Sequence, residues 1–166
     1  MNKMEQVYIH KTKTIKKKKQ ELEKRLNVHI DINRGQVSFE GSPVDEYGAA
    51  LVFEAIAFGF SIQKALLLLE EDYQFRKIHI RDYTRRKNLR DVLARIVGTK
   101  GKTRRTVETI SGCFLIIHDH DVGIIGESES IENAVTAITR IIKGSKQANM
   151  YKYLERMNRI RNKNYI

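Results

Sequence analysis

Arg95-Ile96-Val97-Gly98-Thr99-Lys100-Gly101-Lys102-Thr103-Arg104-Arg105 is the stretch whose reading decides the fold. Two glycines three residues apart stand between two helix-like segments, Asn88 to Val97 and Lys102 to Ile110, the second closing at Gly112. Such a pair lets an anionic backbone approach the main chain without meeting a Cβ. The helix that follows points its unsatisfied N–H groups and positive dipole end the same way. Glycines also punctuate ordinary turns, so the surroundings carry the argument.

Charge is the first of those surroundings. The chain of 166 residues has a formal net charge of +11, and all of it lies in the second half. Residues 1–72 carry 11 Lys and Arg against 11 Asp and Glu, whereas residues 73–166 carry 20 against 9. Between positions 76 and 105 there are 12 basic side chains (Arg76, Lys77, Arg81, Arg85, Arg86, Lys87, Arg90, Arg95, Lys100, Lys102, Arg104 and Arg105) and only Asp82 and Asp91 to oppose them. A one-sided cluster centred on a glycine turn is the electrostatic footprint of a polyanion site.

Hydrophobic residues make up 41% of the chain, enough for one medium domain or two small ones and unlike a disordered composition. Cys113 stands alone, which excludes an internal disulfide or a multi-cysteine metal site and fits a reducing compartment. Met1-Asn2-Lys3-Met4-Glu5-Gln6 begins no apolar signal core. The greasiest run, Gly48 to Phe60, is interrupted by Glu54 and too short to span a bilayer. A soluble, cytoplasmic protein with no membrane partner is the expectation.

Elements follow from the patterning. Val7-Tyr8-Ile9 reads as a short strand, and Ile15, Leu22 and Leu26 mark a helix over 14–27 around Lys16-Lys17-Lys18-Lys19. Val28 to Ile32 and Gln36 to Glu40 alternate about Asn33-Arg34-Gly35, a hairpin signal. Pro43 opens a helix that Gly59 interrupts, and Ser61 caps a further one through Leu69. The second half repeats the order: a strand at Phe75 to Arg81, the two helices around the glycine turn, then strands at Cys113 to Ile117 and Val122 to Ile125. Ser128 or Ser130 then caps a helix with an Ile131, Ala134, Val135, Ile138, Ile141, Ile142 stripe that Gly144 stops, and Lys146 to Arg161 forms a last helix ending in a basic tail.

Strand, helix, Gly-x-x-Gly, helix, strand, strand, helix resembles a KH domain of the eukaryotic (type I) topology, and the first half looks like a second copy. The expected architecture is therefore α+β, with two tandem type I KH domains, each a three-stranded sheet packed with helices. Residues 1–72 form a degenerate copy without the glycine loop, 73–145 an intact one, and 146–166 a C-terminal basic helix. A KH domain lays single-stranded nucleic acid in a groove with its backbone on the Gly-x-x-Gly turn. On that resemblance, Gly98 and Gly101 admit the backbone, Thr99 and Lys100 occupy the variable positions, and Lys100 adds a charge-assisted phosphate contact. Lys102 and Thr103 begin the next helix, and Arg104 and Arg105 extend the positive edge. Arg95, Ile96 and Val97 precede the turn. Ile96 and Val97, with Ile116 or Ile117, are either groove floor or plain core, and Arg90 and Arg95 either contact RNA or are solvated. Arg104 stands where KH domains carry an aliphatic residue, so either the helix register differs or the arginine faces the ligand. The first half has no glycine between Ile9 and Leu22, so Lys16 to Lys19 either bind RNA non-specifically or form an exposed helix face.

Ala65-Leu66-Leu67-Leu68-Leu69-Glu70-Glu71-Asp72-Tyr73, the stretch from Arg95 to Arg105, and Ile124-Ile125-Gly126 together resemble the archaeal members of the partner-of-Nob family, over nearly the whole chain. The basic pair after the loop is usual there. The resemblance implies a two-KH-domain factor of small ribosomal subunit assembly, binding single-stranded rRNA near its 3′ end and assisting the endonuclease that matures that end. That endonuclease and other assembly or translation factors are the implied protein partners. The loopless first domain becomes a candidate protein-docking surface.

Other classes fit less well. His118-Asp119-His120-Asp121 holds four metal-ligating types, but side chains of a tight turn diverge, His10, His29 and His79 are scattered, and Asp has its own backbone reason for being at a turn. Cys113 reads as a small buried residue. No catalytic residue, metal or cofactor is expected, and the chain is not expected to be an enzyme. A KH-fold protein-interaction scaffold, or a general RNA-binding factor in translation or RNA decay, is the alternative. The terminal helix, with Met150, Tyr151, Tyr153, Leu154 and Met157, either binds a partner or packs on the second domain.

Overall fold

The structure, a computed structural model, describes residues 5–165. The first four residues of the polar N-terminus lie outside them. The chain divides into two compact units, residues 1–71 and 72–166.

In the first unit, β1 (Glu5–Tyr8) is followed by two short helices, α1 (Lys13–Lys17) and α2 (Lys19–Leu26), then the hairpin β2 (Val28–Asn33) and β3 (Gln36–Gly41), α3 (Pro43–Phe58) and α4 (Ile62–Leu66). Its sheet is antiparallel in the order β1-β3-β2, with Val7 and Ile32 both opposite Val37 and Ile30 opposite Phe39. The hairpin closes through Arg34 at φ 46° and Gly35 at φ 87°, the left-handed pair that a two-residue turn between right-twisted strands requires. Where the heptad-like spacing predicts one helix over 14–27, there are two, broken at Lys18 (φ −108°, ψ 16°); Ile15, Leu22 and Leu26 are buried nonetheless. Ser42 caps α3 by accepting from the Asp45 N–H at 3.2 Å, with Pro43 in the first turn, and Ser61 caps α4 through the Lys64 N–H at 3.3 Å. Phe39 from the sheet stacks on Phe53 from α3, centroids 5.2 Å apart.

The second unit comprises β4 (Tyr73–His79), α5 (Arg90–Val97), α6 (Lys102–Ser111), β5 (Phe114–His118), β6 (Asp121–Glu127), α7 (Ser128–Lys143) and α8 (Gln147–Asn164). Sheet order is β4-β6-β5, with Ile78 and Ile117 both opposite Val122 and Leu115 opposite Ile124. The strand expected to reach Arg81 stops at His79, opposite the first residue of β6: the Ile80 N–H still donates to the His120 carbonyl (2.9 Å), and the chain then tightens into a 3₁₀ turn, Ile80–Tyr83. Neither Ser128 nor Ser130 caps α7: its N-cap is Glu127, and Ser130 is buried, taking a hydrogen bond from Arg161. The expected stripe of α7 is present, with Ile131, Ala134, Ile138, Ile141 and Ile142 in one core with Ile78, Val92, Ile96, Val107, Leu115 and Ile124. Met150 and Leu154 of α8 join that core, at 6% and 1% exposure, and their burial stabilises the docked helix by roughly 3–6 kcal/mol. Among the described residues no helix is long and apolar enough to cross a membrane.

One contact recurs. In the first unit the Ile30 N–H donates to Glu23 Oε1 on α2, and in the second the Leu115 N–H donates to Glu108 Oε1 on α6, each at 2.8 Å. Both strands are sheet edges, so the carboxylate supplies an acceptor that no neighbouring strand provides.

Candidate nucleic-acid interface

α5 ends where Gly98 donates its N–H to the Ala94 carbonyl at 2.8 Å, and Gly101 closes the turn by donating to the Gly98 carbonyl at 3.1 Å. Three of the four turn residues have positive φ: Gly98 at 75°, Lys100 at 50° and Gly101 at 75°. A Cβ on residue 98 would lie 2.3 Å from Thr103 Oγ1 and 2.6 Å from its backbone N, so no other residue fits there. Lys100 holds a left-handed conformation that costs a non-glycine residue on the order of 1 kcal/mol or more. The main chain is thus bent into a fixed, outward loop, with Thr99 and Lys100 both exposed.

The expected contact residues separate into three groups. Thr99, Lys100, Lys102 and Arg105 are exposed and stand together around the turn, with the Arg105 guanidinium folded over Gly101, 3.1 Å from where its Cβ would be. Ile96 and Thr103 are buried, at 0% and 5% exposure: Ile96 belongs to the core rather than to a groove floor, and Thr103 packs under Gly98. Val97 is half-buried. Arg95 is tied inwards, its guanidinium donating to the Ser145 carbonyl at 2.6 Å, while Gln147 donates back to the Arg95 carbonyl at 3.4 Å. It joins α5 to the start of α8 instead of standing free for a ligand.

Arg104 has an explanation in the helix register. The buried stripe of α6 is Thr103, Val107 and Ser111, so the core position falls one residue before Arg104. Arg104 lies beside that stripe with its side chain 40% exposed, Nε 3.8 Å from Glu108 Oε2 and without a hydrogen-bond partner. Glu108 is the residue that sequence reasoning passed over. Its signal was its equivalence to Glu23, visible once the two halves are aligned on their hairpins.

On β5, Leu115 is fully buried, Ile117 packs partly against the core, and Ile116 is half-buried opposite Gly123. The His-Asp-His-Asp turn is divided among separate pairs: His79 Nδ1 lies 2.5 Å from Asp121 Oδ1, and His118 Nδ1 3.5 Å from Asp119 Oδ2. Among the described residues no group of three His, Cys, Asp or Glu is placed to hold a metal ion. Burial pushes the Cys113 thiol up to about 11, so it is protonated and poorly nucleophilic at neutral pH.

Comparison with known proteins agrees with this geometry. The sequence profile of the eukaryotic-type KH domain (KH-domain type I), in its form from the second KH domain of PNO1, matches residues 74–159. The KH domain-containing protein MJ0443 of Methanocaldococcus jannaschii is 32% identical over 145 residues, 83% of this chain and 64% of that protein. The pre-rRNA-processing protein pno1 of Emericella nidulans is 28% identical over 142 residues, 80% of this chain and 55% of that one. The chain thus spans between about half and two thirds of the length of these relatives. Dim2p of Pyrococcus horikoshii superposes with a TM-score of 0.82 at 33% identity, over 93% of this chain and 99% of its own. The same archaeal protein in complex with a/eIF2alpha and rRNA gives 0.78 at 33% identity, over 93% of each chain. With a family profile covering more than half its length and a solved relative matched end to end, this chain belongs to the PNO1/Dim2-type KH-domain family.

Proposed function

We propose that this chain is a single-stranded RNA-binding factor of small ribosomal subunit assembly that grips rRNA through the turn at residues 98–101. It binds near the 3′ end of the small-subunit RNA and assists endonucleolytic maturation there without being an enzyme itself. The observation that carries this reading is the turn: three positive-φ residues hold Lys100 outward, with Lys102 and Arg105 beside it. A rigid loop with open backbone and adjacent cations suits a phosphodiester chain, whose charge is uniform and whose approach a Cβ would obstruct. Relatives support the biology: one is named for pre-rRNA processing, and Dim2p has been solved with rRNA.

In this reading both units are KH domains in tandem, and the first has lost its phosphate turn. α1 and α2 of that unit meet at Lys18 with no glycine between them. The first unit instead exposes Val44 (80%) and Tyr47 (68%) one turn apart on α3, which favours a protein partner for it. The rRNA-maturing endonuclease and translation factors of the a/eIF2alpha kind are the partners that fit. Changing Thr99 and Lys100 together to Asp tests the RNA assignment, because both are exposed and the fold does not depend on their side chains. Single-stranded RNA binding measured by fluorescence anisotropy should fall about a hundredfold; unchanged binding refutes the assignment.

A further inference from the structure

We propose that the loop between Tyr83 and Arg90 is a second phosphate-binding element, which holds the RNA backbone beyond the glycine turn. This rests on the RNA reading above and extends its footprint to the other end of α5. The loop presents Arg85, Arg86 and Lys87, all exposed, and Arg90 follows at the head of the helix. Among the described residues no salt bridge engages any of these four.

The loop is built, not slack. Arg81 donates from its two terminal nitrogens to the carbonyls of Arg86 (3.0 Å) and Lys87 (3.3 Å). The Arg86 N–H donates to Thr84 Oγ1 at 3.3 Å and the Arg90 N–H to Asn88 Oδ1 at 2.9 Å, while buried Ile80 and Leu89 anchor its two ends. Lys143 of α7 adds another cation at its base, 5.5 Å from the centre of the Tyr83 ring. A guanidinium that organises the backbone of two further cationic residues concentrates like charge, where a neutral amide would supply the same donors without repulsion. Such an arrangement is stabilised by a polyanion. α5 has eight residues, so the loop and the glycine turn lie at opposite ends of a rod about 12 Å long. The loop's exposed side chains offer charge and no aromatic surface, so it takes phosphate without selecting bases.

Full-length protein with Arg85, Arg86 and Lys87 all changed to Ala provides the test. Binding of a 12-nucleotide single-stranded RNA, followed by anisotropy across a salt series, should weaken about tenfold, and the slope of log K against log salt should become less negative by about 2 for three lost contacts at about 0.7 each. Binding of a 4-nucleotide RNA, followed through the Thr99 and Lys100 amide signals, should stay within twofold. Arg81→Ala should reproduce the length-dependent loss at about threefold, and Arg81→Lys should not rescue it, because an ammonium does not span two carbonyls as the guanidinium fork does. An unchanged 12-nucleotide affinity and salt slope overturns the proposal. So does an equal loss for both lengths, which would make the loop a support for the turn. If the unaltered protein binds neither RNA, the RNA reading falls, and this proposal with it.

Discussion

Ile30 in the first unit and Leu115 in the second hold the same place: opposite Phe39 and Ile124 on the central strand, each with its amide on a glutamate seven residues back. From that glutamate to the hairpin the two units run in step, 85 residues apart (23 and 108, 30 and 115, 39 and 124). Before the glutamate the step changes. Val7 opposite Val37 corresponds to Ile78 opposite Val122, an offset of 71, so the first unit is 14 residues shorter between its first strand and its glutamate. Those are residues that the second unit spends on the basic loop, a full α5 and the glycine turn. A three-stranded sheet, its edge contact and its covering helix survive without them. The proposed recognition apparatus is thus an insertion on a scaffold that folds either way, as expected if binding residues ride on surface connections.

That comparison can be broken most decisively at the turn. The Thr99→Asp, Lys100→Asp pair should lower RNA affinity about a hundredfold, the combined loss of charge-assisted contacts and added repulsion, whereas Lys18→Asp with Lys19→Asp in the first unit should change it less than threefold. Comparable losses from both pairs would mean that the two units share the RNA. Next in size, Gly98→Ala should destabilise the second unit by about 2–3 kcal/mol in urea unfolding, since the new methyl meets Thr103 and the backbone is left-handed. A neutral result would show that the turn can relax.

Glu23→Ala and Glu108→Ala should each cost about 1–2 kcal/mol by leaving a strand amide unpaired. A marked inequality would show that the two contacts are not equivalent. The smallest effects belong to the first unit's lysines: Lys18 and Lys19 lie 3.7 Å and 3.8 Å from Glu21 and Glu23, and each change to Ala should alter stability by less than about 0.5 kcal/mol. Cys113, protonated and 1% exposed, should react with iodoacetamide at neutral pH only on unfolding. Rapid labelling of the native chain would show that the second core opens.

What the sequence disclosed was whatever local chemistry decides. Asn33-Arg34-Gly35 had to turn, Pro43 had to open a helix, and Gly98 and Gly101 had to form a turn between two helices. The break at Lys18 and the early end of β4 escaped because each depends on partners elsewhere: α1 has a single buried side chain, and β4 ends where its partner strand begins, at Asp121. At the candidate site the exposed cations were legible from charge alone. The depth of Ile96 was not, since an isoleucine before a glycine turn serves a core and a groove equally well and the packing of α7 decides between them. The inward tie of Arg95 was not legible for the same reason, because its partner, the Ser145 carbonyl, is 50 residues away.

That tether bears on kinetics. Since Arg95 fastens the last turn of α5 to the segment leading into α8, the glycine turn leaves a helix end that is already immobilised, and an incoming strand meets it without having to order it first. Little conformational entropy is then lost on association, so encounter with RNA should be limited by diffusion and steering rather than by loop closure. In the proposed RNA reading, the segment leading into the C-terminal helix thus acquires a place in recognition without touching the ligand: Arg95→Ala should keep Lys100, Lys102 and Arg105 and slow association.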